Sequence, residues 1–234
     1  MNWVLPTVLS TTAGAVDVIG FLALGGLFTA HITGNLVVLA AHYVTGGFSE
    51  IGPLLAGPVF ILVLGAVTAA AVWFEKTRCG SRRALLFLQA ALLAGCLGVG
   101  VGFGPFADPD GPIAVLAGML GVAAMATQNA LVRLALPGSP STAVMTTNIT
   151  QFTVDLATVV RGVTGPEELT RARHRAGVTF RSMVGFLAGC ASGAVLEIHV
   201  GLWALALPVV LATLALTLDA LKSDRTAASN VVTA

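Results

Sequence analysis

Ile32-Thr33-Gly34-Asn35 and Met145-Thr146-Thr147-Asn148 are two copies of one short polar motif, each leading into an apolar stretch, with the two asparagines about half a chain apart in 234 residues. Threonine and asparagine at the start of a helix can supply oxygens to the first N–H groups, which have no partner inside the helix. Those N–H groups carry partial positive charge and suit an anion, a carboxylate or the electronegative end of a neutral solute. In hydrocarbon an unpaired backbone group costs several kcal/mol, so irregular backbone persists only inside protein or beside water. Each motif serves either as turn and cap chemistry for a hairpin or, because it is repeated, as the lining of a polar path.

Asp17 sits within Ala13-Gly14-Ala15-Val16-Asp17-Val18-Ile19-Gly20, inside an apolar stretch. A carboxylate there costs roughly 2.5–3.5 kcal/mol to insert and by default points to function. It would take up a proton or cation, anchor a donor on a solute, or bond across to Thr33 or Asn35 and hold that turn. His31 precedes the first motif and titrates near neutral pH when unperturbed; a hydrogen-bonded helix end explains it equally. Gln151 and Asp155 are one helical turn apart and share a face, with Asp155 either lining a path or paired to an arginine. Gln128 and Asn129 are costly in an apolar segment unless bonded, and they join the candidates.

Catalysis finds no support. There is no His-Glu-x-x-His zinc motif, and Gly98-Val-Gly-Val-Gly-Phe-Gly104 ends an apolar run instead of following a strand, so it is no nucleotide fingerprint. Cys79, Cys96 and Cys190 are isolated, without metal-ligand or disulfide spacing. The expectation is a protein with no enzymatic activity, no cofactor and no metal.

The elements that position these residues follow from composition. Hydrophobic residues make up 56% and charged residues 10%, with a mean hydropathy of +0.91; a soluble domain carries about 25% charged residues. Segments near 8–28, 53–74, 84–103, 112–132, 177–198 and 202–219 reach about the 20 residues that cross a bilayer as helix. Shorter helices are expected at 35–45 and 148–160. A net charge of +1 gives no field for nucleic acid, and the amino terminus lacks the basic region of a signal peptide, so the first segment is expected to be retained.

Loop charge sets the expected topology. Lys76, Arg78, Arg82 and Arg83 place 75–83 in the cytoplasm, as Arg161, Arg171, Arg173 and Arg175 do for 161–175. Asp108 and Asp110 mark 104–112 as external, and Lys222 and Arg225 put the tail 222–234 inside. Each half, 1–107 and 108–221, then reads as span, re-entrant half-helix, span, span. An odd number of spans per half inverts the second half relative to the first. An eight-span alternative would put four arginines outside. At the offset of the two asparagines, His42 meets Asp155 and Val38 meets Gln151, while Asp17 falls opposite Gln128-Asn129 after a small insertion. Ile61, Gly65 and Ala69 align with Gly185, Gly189 and Gly193, whose small residues serve close helix packing, within the chain or in a homo-oligomer.

The run from Ala13 to Asp17, then Phe21-Leu22-Ala23-Leu24-Gly25-Gly26-Leu27-Phe28 and Ile32-Thr33-Gly34-Asn35, resembles the YoaK-like family, designated DUF1275, whose pattern is A-G-x-V-D, F-L-x-L-G-G-x-F and x-T-G-N. Met125-Ala-Thr-Gln128-Asn129 and Met145-Thr-Thr-Asn148-Ile-Thr-Gln151 are similar to its second signature, with Ala126-Thr127 and Thr147 as departures. The resemblance covers essentially the whole chain. It implies a bacterial inner-membrane protein of about six spans and supplies no activity. The combined expectation is an all-α membrane protein of two inverted repeats, in lipid, with both termini cytoplasmic. It would move a small polar or anionic solute or ion past Thr33, Gly34, Asn35, Thr146, Thr147 and Asn148, with Asp17 as the coupling residue. A passive channel for a neutral solute and a non-transporting partner protein are the alternatives.

Overall fold

The computed structural model describes residues 3–46, 49–76, 81–162 and 165–232. The helices are α1 (Val4–Ala23), α2 (Ile32–Thr45), α3 (Ile51–Lys76), α4 (Ser81–Phe103), α5 (Pro112–Ala135), α6 (Met145–Arg161), α7 (Pro166–Val200) and, after a 3-10 turn over Gly201–Leu205, α8 (Ala206–Val232). Among the described residues, five segments are long and apolar enough to cross a membrane: Val4–Ala23, Ile51–Ala71, Arg82–Phe103, Pro112–Ala135 and Pro166–Leu221. The last, of 56 residues, contains both α7 and most of α8, broken at Gly201, where φ is 57°. Large apolar side chains on the outer faces, among them Ile61 and Leu62 of α3 and Val44 of α2, are 69–86% exposed. Such a surface is stable in hydrocarbon and a liability in water. The protein is an all-α membrane protein.

Several helix ends differ from the sequence expectation. The first span stops at Ala23, short of residue 28, because Gly25 and Gly26 take φ of 64° and 88° and turn the chain back. The helices expected at 35–45 and 148–160 begin earlier, so each polar motif forms a first turn. Their N-cap positions are His31 and Val144, and neither makes a side-chain cap bond. The capping role expected of threonine and asparagine is therefore corrected. Much of the arginine-rich 161–175 segment is the start of α7: Pro166 needs no N–H partner in the first turn, and Glu167 and Glu168 suit its positive end. The tail from Lys222 continues α8 as helix to Val232. Arg78 and Cys79 lie outside the described residues, as do the side chains of Lys76, Lys222 and Arg225.

α1 and α5 form the centre, with 61% and 67% of their spans enclosed, against 17% for α3 and 33% for α4. α1 packs on α7 and α8, and α5 on α3 and α4; α4 also meets α8, α2 lies on α3, and α6 lies on α7. The α1–α7 contact is a backbone approach. A Cβ at Gly189 would stand 2.1 Å from the carbonyl oxygen of Thr11, and one at Gly14 would stand 2.2 Å from that of Phe186. Gly185, Gly189 and Gly193 meet Thr7, Thr11 and Ala15 in rising order, so the two helices run parallel. These glycines thus pack within the chain. Their aligned counterparts do not share that use, since Ile61 is exposed and a Cβ at Gly65 would meet nothing within 4 Å.

Candidate functional site

The turn that ends α1 carries residues 24–31 back along that helix. Ser49 N–H donates to Gly25 O at 2.8 Å, tying the chain that follows α2 to the end of α1. The fold-back delivers three donors to Asp17, which is 3% exposed. Oδ1 accepts from Ala30 N–H at 2.8 Å and from the Thr29 hydroxyl at 3.4 Å, and Oδ2 lies 2.5 Å from His31 Nδ1. The His31 ring stands edge-on to Phe186 of α7 and to Phe28. Asp17 therefore does hold the turn, through Thr29, Ala30 and His31 instead of through Thr33 or Asn35. Asn35 uses its whole amide on Phe28: Oδ1 accepts from Phe28 N–H and Nδ2 donates to Phe28 O, both at 2.8 Å. Thr33 is exposed, and Gly34 sits against the Phe28 ring.

The candidates of the second half are also held by hydrogen bonds. Gln128 is fully buried. Its Nε2 donates to Leu9 O at 3.0 Å and to the Thr142 hydroxyl at 2.8 Å, while its Oε1 accepts from Gln89 Nε2 at 2.6 Å. Asn148 Nδ2 donates to Ser141 O at 2.6 Å, and Val144 N–H donates to Ser141 Oγ at 2.9 Å. Asn129 turns onto its own helix, donating to Met125 O at 2.8 Å. Gln151 donates to Asp155, which is otherwise held by Arg175 of α7 at 2.7 Å. Arg175 also reaches Glu168 at 3.4 Å. Of the two readings of Asp155, pairing is the one observed.

A cavity of about 670 Å³ opens between the end of α5, the 136–141 loop, the start of α6 and α7. Four of the residues selected from sequence line it: Asn129, Thr147, Asn148 and Gln151. Asp155 lies behind its wall, holding the lining residue Arg175. Asp17, His31, Thr33, Gly34, Asn35, Gln128 and Thr146 are not on it. No residue of the first motif lines this cavity. Lining residues that sequence reasoning passed over are Ser139, Ser141, Thr179, Arg133 and His174. Arg175, a marker of the cytoplasmic side in the sequence, lines it as well. Hydroxyl, amide and guanidinium groups make the lining suited to a small polar or anionic molecule. A smaller cavity of about 260 Å³, beside the ion pair of Arg82 with the buried Asp219, is lined mainly by Val4, Leu5, Pro6 and Leu136. Among the described residues, no three of histidine, cysteine, aspartate and glutamate converge to hold a metal.

A family model described as a protein of unknown function, DUF1275, matches residues 5–218. A stretch of 35 residues is 60% identical to the UPF0700 transmembrane protein YoaK of Bacillus subtilis (strain 168), covering 15% of this chain and 16% of that protein. No solved structure matches.

Proposed function

We propose for this chain, which belongs to the DUF1275 family of membrane proteins, a transporter of two inverted halves that moves a small polar or anionic solute across the bacterial inner membrane. The observation that carries this reading is the cavity at the second motif, where Asn129, Thr147, Asn148 and Gln151 meet Arg133 and Arg175 on the arginine-rich side. It is read as the cytoplasmic vestibule.

The inverted repeat is supported by local geometry. α2 and α6 start at the same offset as Asn35 and Asn148, from N-caps with φ −90°, ψ 69° and φ −94°, ψ 88°. Each asparagine bonds a carbonyl seven residues back. Thr29 meets Asp17 in one half, and Thr142 meets Gln128 in the other. Exchanging α1–α4 with α5–α8 also preserves the packing partners: α1–α7 becomes α5–α3, α4–α5 becomes α8–α1, and α2–α3 becomes α6–α7. Counting α7 and α8 as separate spans gives six, with both termini cytoplasmic. α2 starts beside Asp17 and the chain returns through Ser49 to the end of α1, which favours a re-entrant α2, and by the same pattern a re-entrant α6.

Asp17 with His31 is the coupling pair in this reading, because protonation of either changes the bonds that hold the first turn. The test uses protein reconstituted in liposomes, with phosphate, sulfate, small carboxylates and amino acids offered under an imposed proton gradient. At least one solute is expected to accumulate with saturation, and Thr147→Val to weaken its uptake about tenfold. Asp17→Asn is expected to abolish accumulation while leaving exchange. Uptake no faster than in empty liposomes for the whole set would sink the proposal.

A further inference from the structure

Among the described residues, the buried side-chain atoms with no hydrogen-bond partner are Ser10 Oγ, Gln89 Oε1 and Ser182 Oγ. Each residue is fully enclosed. An orphaned buried polar atom costs about 1–3 kcal/mol, and in a membrane interior no solvent stands ready to relieve it. Three scattered orphans would be unremarked; these three belong to one place.

Ser10 and Ser182 face each other by register. Gly14 of α1 lies against the backbone of Phe186 in α7, the helices are parallel, and Ser10 and Ser182 each stand one turn before that contact. Leu9, next to Ser10, offers the carbonyl that Gln128 bonds, and Gln89 is bonded to the same Gln128. Ser10 and Ser182 at the α1–α7 contact, with Gln89 and Gln128 joined to the neighbouring Leu9, thus make a polar seam of groups on α1, α4, α5 and α7. Along the chain, members of the seam stand next to residues of the cavity wall: Ser182 is one turn beyond Thr179, Gln128 adjoins Asn129, and Thr142 adjoins Ser141. Toward Asp17 it stops where Gly14 and the Phe186 backbone leave no space for a methyl group.

We infer that this seam is a water-filled inward extension of the vestibule, in which water molecules bond Ser10, Ser182 and Gln89 and hydrate a path that ends at the Gly14–Phe186 contact. Water has the required chemistry, since it donates to the amide oxygen and both donates to and accepts from the hydroxyls. The seam carries no ionised group. The inference rests on reading the cavity as a solute vestibule and adds where the hydrated path goes and what closes it.

The test is thiol labelling in inside-out membrane vesicles, with 2-aminoethyl methanethiosulfonate as the probe. The background chain has Cys79, Cys96 and Cys190 changed to alanine and carries one new cysteine at a time. Thr179→Cys reports the cavity wall and Ala13→Cys the dry core. Ser182→Cys is expected to react within about tenfold of the Thr179→Cys rate, and Ser10→Cys within about a hundredfold, because labelling needs a hydrated thiolate. If Thr179→Cys reacts while both serine positions are as slow as Ala13→Cys, the seam is dry and this inference falls with the vestibule intact. If Thr179→Cys is itself unreactive, the vestibule reading fails too. Should Ser10→Cys not insert, Ser182→Cys decides alone.

Discussion

Asn35 clamps Phe28 with both ends of its amide, whereas Asn148 gives one backbone bond to Ser141. Removing the first leaves a buried N–H and C=O together without partners. Asn35→Ala is therefore expected to lower stability by about 2 kcal/mol and Asn148→Ala by about 1 kcal/mol, measured by SDS-induced unfolding in mixed micelles. Equal losses would contradict the two-bond clamp. Asp17 was legible in the sequence as a carboxylate with no business in an apolar stretch. Its partners were not, because they depend on a turn set by positive φ at Gly25 and Gly26, and Thr33 and Asn35 looked equally near. Gln89, a lone glutamine among leucines, gave no sign of the network it enters.

At the scale of elements, α1 and α7 touch through backbone, and the glycines of α7 are what permit it. Gly189→Val places a side chain where the Thr11 carbonyl already stands, so the helices must separate. The expected outcome is loss of folded protein in a detergent-solubility and size-exclusion assay. Gly98→Ala, where a Cβ meets nothing within 4 Å, is expected to behave as wild type. The spans were largely readable, because length and hydropathy alone define what can cross a bilayer. Helix starts were less so. Threonine and asparagine before an apolar run look the same whether they cap a helix or, as in α2 and α6, form its first turn with the asparagine bonding backward. The arginines of 161–175 signalled a side of the membrane, which helix and loop satisfy equally.

Asp110, in the connection between α4 and α5, ties the two halves of the chain together at the start of α3. Its carboxylate accepts from the Ser49 hydroxyl at 2.6 Å, from Ile51 N–H at 2.8 Å and from Glu50 N–H at 3.1 Å, at the start of α3. Partial burial opposes its charge, but these donors outweigh that effect and hold the carboxyl below the usual range. A group lowered on folding contributes fully above its unfolded value, near pH 4, and loses that contribution as pH falls through the folded value. Wild-type stability is expected to drop through this acid window by about 1 kcal/mol more than that of Asp110→Asn, in thermal unfolding scans across pH. Parallel curves for the two proteins would remove the assigned role.

The packing partners carry a consequence for how the protein is made. α1 leaves the ribosome well before its main neighbour, α7, which begins at Pro166. Through most of synthesis, Ser10, Thr12 and Asp17 must enter or wait at the membrane without the helix that will enclose them. The α1–α7 contact cannot form as each helix emerges. Biogenesis of this chain is thus a late closure, in which α7 retrieves α1, and translation that stops before α7 leaves a polar helix without its main shelter.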